Sequence, residues 1–158
     1  MDFTDYVYDN KYCFIMRGLP GSLKSTVARE IGNHSYQYPN GSDVSAIHST
    51  DSYFINEDGE YVFDPTKLGE YHEANYQSFL RSISEGVRVV VVDNTNTQTW
   101  EYQKYYDAAA EAGYVVAIVT LPHPSAEVCA ERNTHGVPLA AIQAMIDRWE
   151  EPPKKISD

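Results

Sequence analysis

The sequence predicts an α/β fold with a mostly parallel central sheet of four to five strands flanked by helices. Apolar runs of strand length alternate along the chain with segments whose apolar residues recur at helical spacing. Two of these runs, RVVVVD at 88–93 and YVVAIVTL at 114–121, are continuous and rich in β-branched residues. Such runs are typical of strands buried on both faces, so both are predicted to lie inside the sheet.

Turn and capping residues set the limits of the predicted elements. Pro138 suits the first turn of a helix, and Ser125 suits an N-cap because its hydroxyl can accept a hydrogen bond from a free backbone N–H. Gly32 and Gly113 are expected to end the helices that precede them. In chain order the prediction is strand 12–17, helix 24–31, loop 33–45, strand 46–49, irregular segment 56–64, helix 65–85, strand 88–93, helix 100–112, strand 114–121, helix 125–132 and helix 138–150.

Length and composition predict a single domain over residues 1–158, with its core at about 12–150 and loose termini. A chain of 158 residues can bury a sufficient core without disulfides or a metal. Cys13 and Cys129 show no paired spacing, which suits a reducing cytoplasm. No apolar stretch approaches the roughly 18 residues that a membrane span needs. A cytoplasmic protein is therefore expected.

The net charge of −11 restricts the partners that this chain can bind. Its 23 acidic residues outnumber its 12 basic residues, which opposes nonspecific attraction to nucleic acid because that attraction scales with the phosphates neutralised. A polynucleotide substrate would therefore need to be held locally. The 13 tyrosines could provide stacking surfaces for bases, although without a basic groove such residues more often fill core or surface.

The stretch GLPGSLKST at 18–26 predicts a phosphate-binding loop. It follows an apolar strand and opens a helix, so backbone N–H groups and the positive end of the helix dipole face the same point. Lys24 is expected to reach the β- and γ-phosphates of ATP, and the Ser25 hydroxyl to ligate Mg²⁺. The residues of this stretch that are predicted to hold the nucleotide are Gly18, Gly21, Ser22, Lys24, Ser25 and Thr26.

Leu23 departs from the usual pattern G-x-x-x-x-G-K-[ST], which has glycine immediately before the lysine. If the backbone there needs a positive φ, a residue other than glycine costs about 1–2 kcal/mol, and its side chain can also block the approach of phosphate. One hypothesis is a functional loop whose leucine is turned away from the phosphates. The competing hypothesis is a loop that no longer binds nucleotide in the usual way.

Four stretches occur in a fixed order along the chain: GLPGSLKST, HSTDSYF, VVVDNTNTQTW and RNTHGVP. Together they resemble the motifs of the polynucleotide-kinase-like branch of P-loop kinases, over about residues 12–150. That branch includes phage-type 5′-hydroxyl polynucleotide kinases and the kinase-like domain that precedes some cyclic-nucleotide phosphodiesterases. The resemblance implies a P-loop kinase fold, ATP and Mg²⁺ as cofactors, and phosphoryl transfer to a hydroxyl.

The resemblance also implies roles for three further residues. Asp51, at the end of the second strand, would accept the proton of the attacking hydroxyl, although a helix N-cap is the alternative for an aspartate just after a strand. Asp93 ends a strand of valines and would hold Ser25 or a magnesium-bound water. Arg132 would contact the nucleotide and the transferring phosphate from a lid between the last two helices.

The lid departs from the phage-type pattern, because no second arginine follows Arg132 and His135 lies near that place. Transition-state stabilisation would then depend on Arg132 and Lys24 alone, or an arginine from elsewhere, such as Arg17, would contribute. The sequence does not decide between these alternatives.

Several other polar residues have a structural interpretation. Thr95 or Asn96 is expected to cap the helix that follows the DNTN stretch. His48, His72 and His123 lack ligand partners at regular spacing, so structural roles are expected for all three.

Three functional hypotheses follow from these residues. The leading one is an ATP- and Mg²⁺-dependent kinase that acts on the 5′-hydroxyl of a polynucleotide end. A second keeps the chemistry but changes the acceptor to a nucleoside, a hydroxymethylated base in DNA or another small alcohol, with residues 33–45 and 56–64 forming its pocket. A third is a degenerate nucleotide-binding module, with Leu23 as the mark of lost catalysis. The expected partners are ATP and an acceptor, with no membrane.

Overall fold

The computed structural model describes residues 10–34 and 45–152. The predicted loose termini and the predicted loop at 33–45 fall mostly outside these residues. Two short 3₁₀ turns, Thr50–Phe54 and Pro65–Lys67, supplement the regular elements. The strands and helices are β1 Tyr12–Arg17, α1 Lys24–His34, β2 Ser45–His48, α2 Leu68–Ser84, β3 Val89–Asp93, α3 Thr99–Glu111, β4 Val115–Thr120, α4 Ala126–Arg132 and α5 Leu139–Asp147.

The strands form one parallel sheet of four strands in the order β2-β3-β1-β4. This confirms the predicted α/β architecture. In the centre of the sheet, Tyr12 of β1 pairs with Val89 of β3 and Met16 pairs with Asp93. Because all strands run in one direction, their carboxyl ends meet at a single edge, where ligands of such sheets bind.

Alternate residues of β3 face opposite sides of the sheet and meet different helices. Val90 lies in a core cluster with Phe79 of α2 and Tyr105 of α3, whereas Val91 clusters with Ala28 of α1. All five side chains are at most 2% exposed. Burial of a large apolar side chain contributes about 1.5–3 kcal/mol, so helices on both faces fix the sheet and the loops at its carboxyl edge.

The prediction that the run YVVAIVTL is buried on both faces is wrong. β4 lies at one edge of the sheet, Val115 is 42% exposed, and the inner residues of the strand are only half-buried. An apolar composition does not reveal strand order, and for this reason an apolar edge strand resembles a central one in sequence.

The predicted end of the first helix at Gly32 is also wrong, whereas two other caps are confirmed. α1 continues through Gly32 to His34, because an isolated glycine is tolerated inside a helix at a cost of about 1 kcal/mol. Ser125 caps α4 by accepting a hydrogen bond from the Val128 N–H. Gly113 follows α3 with a φ of 85°.

Two predicted helices are shorter than the sequence pattern suggested. The helix predicted at 65–85 is divided, because Asp64 caps the turn Pro65–Lys67 before α2 begins at Leu68. The last helix ends at Asp147, and the Glu150 N–H donates instead to the Thr97 carbonyl at 2.8 Å. Among the described residues, no helix combines the length and the apolar character required to cross a bilayer.

Candidate active site

The carboxyl edge of the sheet brings together residues from separate motifs. The phosphate loop, defined here as residues 18–23, leaves β1 and enters α1. Asp93 is the last residue of β3 and lies beside Met16 of β1, and Asp51 lies in the 3₁₀ turn that follows β2. Since β2, β3 and β1 are neighbours in this order, the topology places both carboxylates on the edge that carries the phosphate loop.

The phosphate loop packs closely against α4. Gly21 has a φ of 80°, and a Cβ built on it would lie 2.5 Å from the carbonyl oxygen of Cys129. The backbone conformation and the available space therefore both require glycine at this position. The Gly18 N–H donates to the Thr95 carbonyl at 3.2 Å, which ties the loop to the segment that follows β3.

The loop also presents polar groups that suit phosphate. The first N–H groups of α1 have no acceptor within the helix, and the helix dipole favours an anion beside them. Ser22 Oγ is buried and lacks a hydrogen-bond partner among the described residues, so a bound phosphate could satisfy it. Ser25 and Thr26 are exposed in the first turn of α1. These observations fit the predicted nucleotide site.

Lys24 and Asp93 form a buried ion pair with Nζ and Oδ1 2.8 Å apart. Their side chains are 8% and 5% exposed, so each charge is compensated mainly by the other. The ammonium has three donors, and pairing with Asp93 leaves others for phosphate oxygens. The Asp93 carboxylate thus contacts Lys24. Ser25, the residue that Asp93 was predicted to hold directly or through a magnesium-bound water, is exposed.

The residues at this edge also fit a magnesium ion. Mg²⁺ in kinases takes one or two protein oxygens and completes its shell with water and substrate phosphates. Ser25 and Asp93 supply a hydroxyl and a carboxylate of this kind. Within the described parts of the chain, no group of three or more histidine, cysteine, aspartate or glutamate side chains could hold a metal by itself, and a nucleotide-borne Mg²⁺ does not require one.

Leu23 adopts the left-handed conformation for which the usual pattern supplies glycine. Its φ is 69° and its side chain is 60% exposed. The backbone therefore does need a positive φ here, which is the first of the two penalties that the sequence suggested for Leu23. The side chain is not packed into the protein, and its direction relative to bound phosphate stays a hypothesis.

Asp51 has contacts that differ from those of an N-cap. Ser49 occupies the N-cap position of the turn Thr50–Phe54, and Asp51 lies within its first residues. The Thr50 N–H donates to Asn94 Oδ1 at 3.0 Å, which fixes the turn against the end of β3. The Asp51 side chain is 49% exposed, so its carboxylate is open to a substrate.

Tyr61 and His135 contact the carboxylate of Asp51. The Tyr61 hydroxyl donates to Oδ1 at 3.3 Å, and Nδ1 of His135 lies 3.4 Å from Oδ2. Burial, followed by the charge and the hydrogen bond of Asp51, raises the pKa of Tyr61 to about 12, so the phenol keeps its proton. Sequence reasoning missed Tyr61, and it placed His135 in the lid without this contact.

The end of α4 and the loop that follows it carry Arg132 and His135. Arg132 ends α4 and is exposed, so its guanidinium is accessible to a ligand. Asn133 fixes the loop, because its Nδ2 donates to the carbonyls of Ala130 and Val137 at 2.9 and 3.1 Å and its Oδ1 accepts from the Val137 N–H at 2.8 Å. The position of His135 is therefore set by a network of hydrogen bonds.

Arg17 is not available as a second catalytic arginine. It is 0% exposed, and its Nε donates to the Asn96 carbonyl at 2.7 Å. The guanidinium lies between the rings of Tyr102 and Trp149, 4.9 and 4.4 Å from their centroids. Another of its nitrogens donates to the Glu150 carbonyl at 2.6 Å. Its role is structural, and the suggestion that it stabilises the transition state is wrong.

The segment after Asp93 connects the site to the core rather than capping a helix. Gln98 is the N-cap of α3, and its N–H donates to Glu101 at 2.8 Å. The expectation that Thr95 or Asn96 caps this helix is therefore wrong. Asn96 instead donates from Nδ2 to the Met16 carbonyl at 2.8 Å.

The three histidines assigned structural roles have structural contacts. His48 Nε2 lies 2.9 Å from Ser82 Oγ, and burial lowers the pKa of His48 to about 4. His72 Nδ1 lies 3.0 Å from Thr50 Oγ1. The ring of His123 contacts Trp149 edge to face.

A cleft of about 290 Å³ adjoins the turn that carries Asp51. The rings of Tyr53 and Tyr71 stack in its wall with centroids 5.6 Å apart, and Phe54 contacts the ring of Tyr61. Aromatic and apolar side chains dominate the lining, which consists of Tyr53, Phe54, Ile55, Asn56, Val62, Asp64, Lys67 and Tyr71.

The fold and the site together define a class. A parallel sheet with the phosphate loop between β1 and α1 is a P-loop kinase fold. A family model described as an AAA domain matches residues 14–152, and the chain belongs to this family. A segment of human NEDD4-binding protein 2 is 36% identical over 140 residues, which cover 86% of this chain but 7% of that protein. The chain thus spans a small fraction of this relative's length.

Solved structures share the fold at low sequence identity. A chain of the Pnkp1/Rnl/Hen1 RNA repair complex superposes with a TM-score of 0.63 at 16% identity, over 88% of this chain and 44% of that chain. The Mycobacterium tuberculosis APS kinase CysC, solved with AMPPNP and APS, gives a TM-score of 0.61 at 16% identity, over 91% of this chain and 84% of that chain. The predicted P-loop kinase fold is confirmed.

Proposed function

We propose that this chain is an ATP- and Mg²⁺-dependent kinase that phosphorylates a hydroxyl of a nucleic acid, with the 5′-hydroxyl of a polynucleotide end as the leading acceptor. One observation carries the proposal: the open carboxylate of Asp51 lies on the same sheet edge as the phosphate loop and Lys24. A kinase needs both a site for the phosphates and a base for the acceptor.

We also propose a cytoplasmic location for the protein, because Cys13 and Cys129 are buried free thiols.

The proposed roles follow from the chemistry of each group. Lys24, Arg132 and the N–H groups of the phosphate loop would bind the phosphates and offset the charge that develops during transfer. Mg²⁺ held by Ser25 and Asp93 would neutralise the β- and γ-phosphates. As the acceptor oxygen bonds to the γ-phosphorus, its proton passes to Asp51. The bond from the γ-phosphorus to the bridging oxygen breaks, and ADP leaves with the electron pair.

Nucleic acid is favoured as the acceptor by two observations. The sequence motifs resemble those of polynucleotide kinases over nearly the whole chain. The aromatic wall formed by Tyr53 and Tyr71 lies within a few residues of Asp51, where the base next to a reacting hydroxyl could stack.

A small acceptor is the second candidate, and the size of the cleft supports it. At about 290 Å³ the cleft is at the lower limit of ligand pockets, about 300–1,000 Å³. Its lining is mainly apolar, and the net charge of −11 disfavours a long polyanion. A nucleoside or another small alcohol would satisfy both conditions.

The experiment that tests the proposal is transfer of labelled γ-phosphate from ATP with Mg²⁺ to a panel of acceptors. The panel contains a 5′-hydroxyl oligonucleotide, a nucleoside, DNA with a hydroxymethylated base, and a simple alcohol. The wild-type chain is compared with Asp51→Asn and, as a matched control, with Asp107→Asn, an exposed aspartate of α3 that accepts a hydrogen bond from Gln103. Labelling of the oligonucleotide should fall by about 100-fold or more in Asp51→Asn, since a general base contributes at least that much, and stay unchanged in Asp107→Asn.

The acceptor panel distinguishes the alternatives. Labelling of the nucleoside or the alcohol in preference to the oligonucleotide would replace the nucleic-acid end with a small acceptor. No transfer to any acceptor, together with measurable ATP binding, would contradict the kinase proposal and support a degenerate nucleotide-binding module.

A further inference from the structure

The carboxylate of Asp51 is held by two side chains that come from different loops. Tyr61 belongs to the irregular segment after the 3₁₀ turn, and His135 belongs to the loop between α4 and α5. Each contacts a different carboxylate oxygen, at 3.3 and 3.4 Å respectively. Their rings also stack on one another, with centroids 4.0 Å apart and planes inclined by 11°. Each carboxylate oxygen of Asp51 thus has its own contact, and the rings of Tyr61 and His135 stabilise each other by stacking.

Both neighbours favour one orientation of the carboxylate. The Tyr61 phenol keeps its proton and can only donate to Asp51. A histidine ring with a proton on Nδ1 attracts a carboxylate whether the ring is neutral or charged. An ionised carboxylate has about four acceptor sites, so these contacts leave room for an acceptor hydroxyl while restricting rotation of the side chain.

The anchoring of the loop gives this contact a wider effect. Asn133 fixes the start of the loop to the end of α4, and α4 packs against Gly21 of the phosphate loop. Arg132, the last residue of α4, directly precedes this loop. The contact between His135 and Asp51 therefore connects the proposed acceptor site at Asp51 with the phosphate loop, at the carboxyl edge of the sheet.

We propose that His135 is a positioning residue for Asp51: together with Tyr61 it orients the carboxylate toward the acceptor hydroxyl and fixes its distance from the phosphate loop. The residue that stands near the place of a second lid arginine thus acts on the base and not on the nucleotide. This inference rests on the kinase function proposed above, in which Asp51 receives the acceptor proton.

The test is a double-mutant cycle on the rate of phosphoryl transfer, with wild type, His135→Ala, Asp51→Asn and the double variant. His135→Ala should lower kcat by about tenfold, because a displaced base reacts from a poor geometry, with little change in the KM for ATP. In the Asp51→Asn background the same substitution should change the residual rate by less than about twofold. His135→Asn should restore most of the activity, since its amide places a donor near the position of Nδ1.

Thr134→Ala is the matched control, because Thr134 is an exposed neighbour in the same loop. Its activity should equal that of wild type. An equal loss from His135→Ala in both backgrounds, or a loss confined to the KM for ATP, would overturn the proposal and assign His135 to the nucleotide or to the loop as a whole.

A crystal structure of His135→Ala tests the same inference without turnover. The Asp51 carboxylate should rotate and lose its hydrogen bond to Tyr61. An unchanged Asp51 side chain would overturn the proposal. If wild type phosphorylates no acceptor but the Asp51 side chain rotates in the variant, the kinase function fails while the positioning by His135 stands.

Discussion

Leu23 holds a backbone conformation that costs free energy for a residue with a bulky side chain. Its φ of 69° lies in the left-handed region, which disfavours leucine by about 1–2 kcal/mol. Asn96 also has a positive φ, of 49°, but asparagine tolerates this region, and its amide donates to the Met16 carbonyl. The strain at Leu23 persists because β1 and α1 fix both ends of the loop.

We predict that Leu23→Gly stabilises the protein without altering nucleotide affinity. Relief of about 1–2 kcal/mol of strain is partly offset by the roughly 0.5–1 kcal/mol entropic cost of glycine, so the free energy of unfolding should rise by about 0.5–1 kcal/mol. The Kd for ATP should stay within about threefold, as the hypothesis of a leucine turned away from the phosphates requires. Urea denaturation and nucleotide titration measure the two quantities.

Leu23→Ala is the control for this prediction, since alanine removes most of the side chain but keeps the Cβ that is strained at positive φ. It should show no gain in stability. Nucleotide binding that becomes ten times tighter in Leu23→Gly would instead identify the leucine as an obstacle to phosphate.

The sequence indicated some members of the site and not others, for a physical reason. Lys24 and Ser25 lie in one local pattern, Asp93 ends a recognisable strand, and Asp51 follows shortly after another. The contacts of Asp51 with Tyr61 and His135 join residues separated by loops, and no local pattern encodes such a meeting. The pairing of Lys24 with Asp93, and the burial of Arg17 between aromatic rings, likewise depend on the packed fold.

The contact between α4 and the phosphate loop makes one glycine more important than its conformation alone implies. Gly21 and Gly113 have similar φ values, 80° and 85°. A Cβ at Gly21 would lie 2.5 Å from the Cys129 carbonyl, whereas one at Gly113 would meet nothing within 4 Å. A comparison of the same substitution at Gly21 and at Gly113 therefore separates the cost of backbone strain from the cost of steric overlap.

We predict that Gly113→Ala costs about 1 kcal/mol of stability, from strain alone. Gly21→Ala should cost about 3 kcal/mol, because overpacking against backbone adds to the strain, and it should also weaken ATP binding by displacing the loop. Chemical denaturation with and without ATP measures both effects. Equal losses of stability in the two variants would contradict the close packing of α4 on the phosphate loop.

The elements themselves were predictable where local sequence determines them. The predicted strand 12–17, an apolar run, agrees with β1. β3 begins one residue after its predicted start, because a run of β-branched valines favours a strand strongly. The exposure of β4 was not predictable, since strand order depends on how the helices cross the sheet. The extension of α1 through Gly32 was not predictable either, because an isolated glycine can end a helix or be tolerated inside it.

The charge of the whole protein distinguishes it from kinases that hold nucleic acid in a basic channel. The chain carries a net charge of −11, and the cationic groups placed at the site, Lys24 and Arg132, are assigned to the nucleotide. The cleft that adjoins the turn of Asp51 is lined mainly by aromatic and apolar side chains, and the lysine in its lining, Lys67, pairs with Glu70 at 3.2 Å. An acceptor end would therefore be held mainly by its terminal nucleoside, with few contacts to the phosphates further along.

We predict that acceptor binding depends weakly on salt. A protein that neutralises 6–10 phosphates loses about 10³–10⁵ in affinity between 50 and 200 mM salt. With saturating ATP, the KM of this chain for a 5′-hydroxyl oligonucleotide should rise by less than about tenfold over that range. A dinucleotide acceptor, with a single phosphate, should show nearly the same slope and is the matched control. A steep increase of KM with salt that is confined to the longer acceptor would contradict the prediction and indicate a local row of basic residues that binds its phosphates.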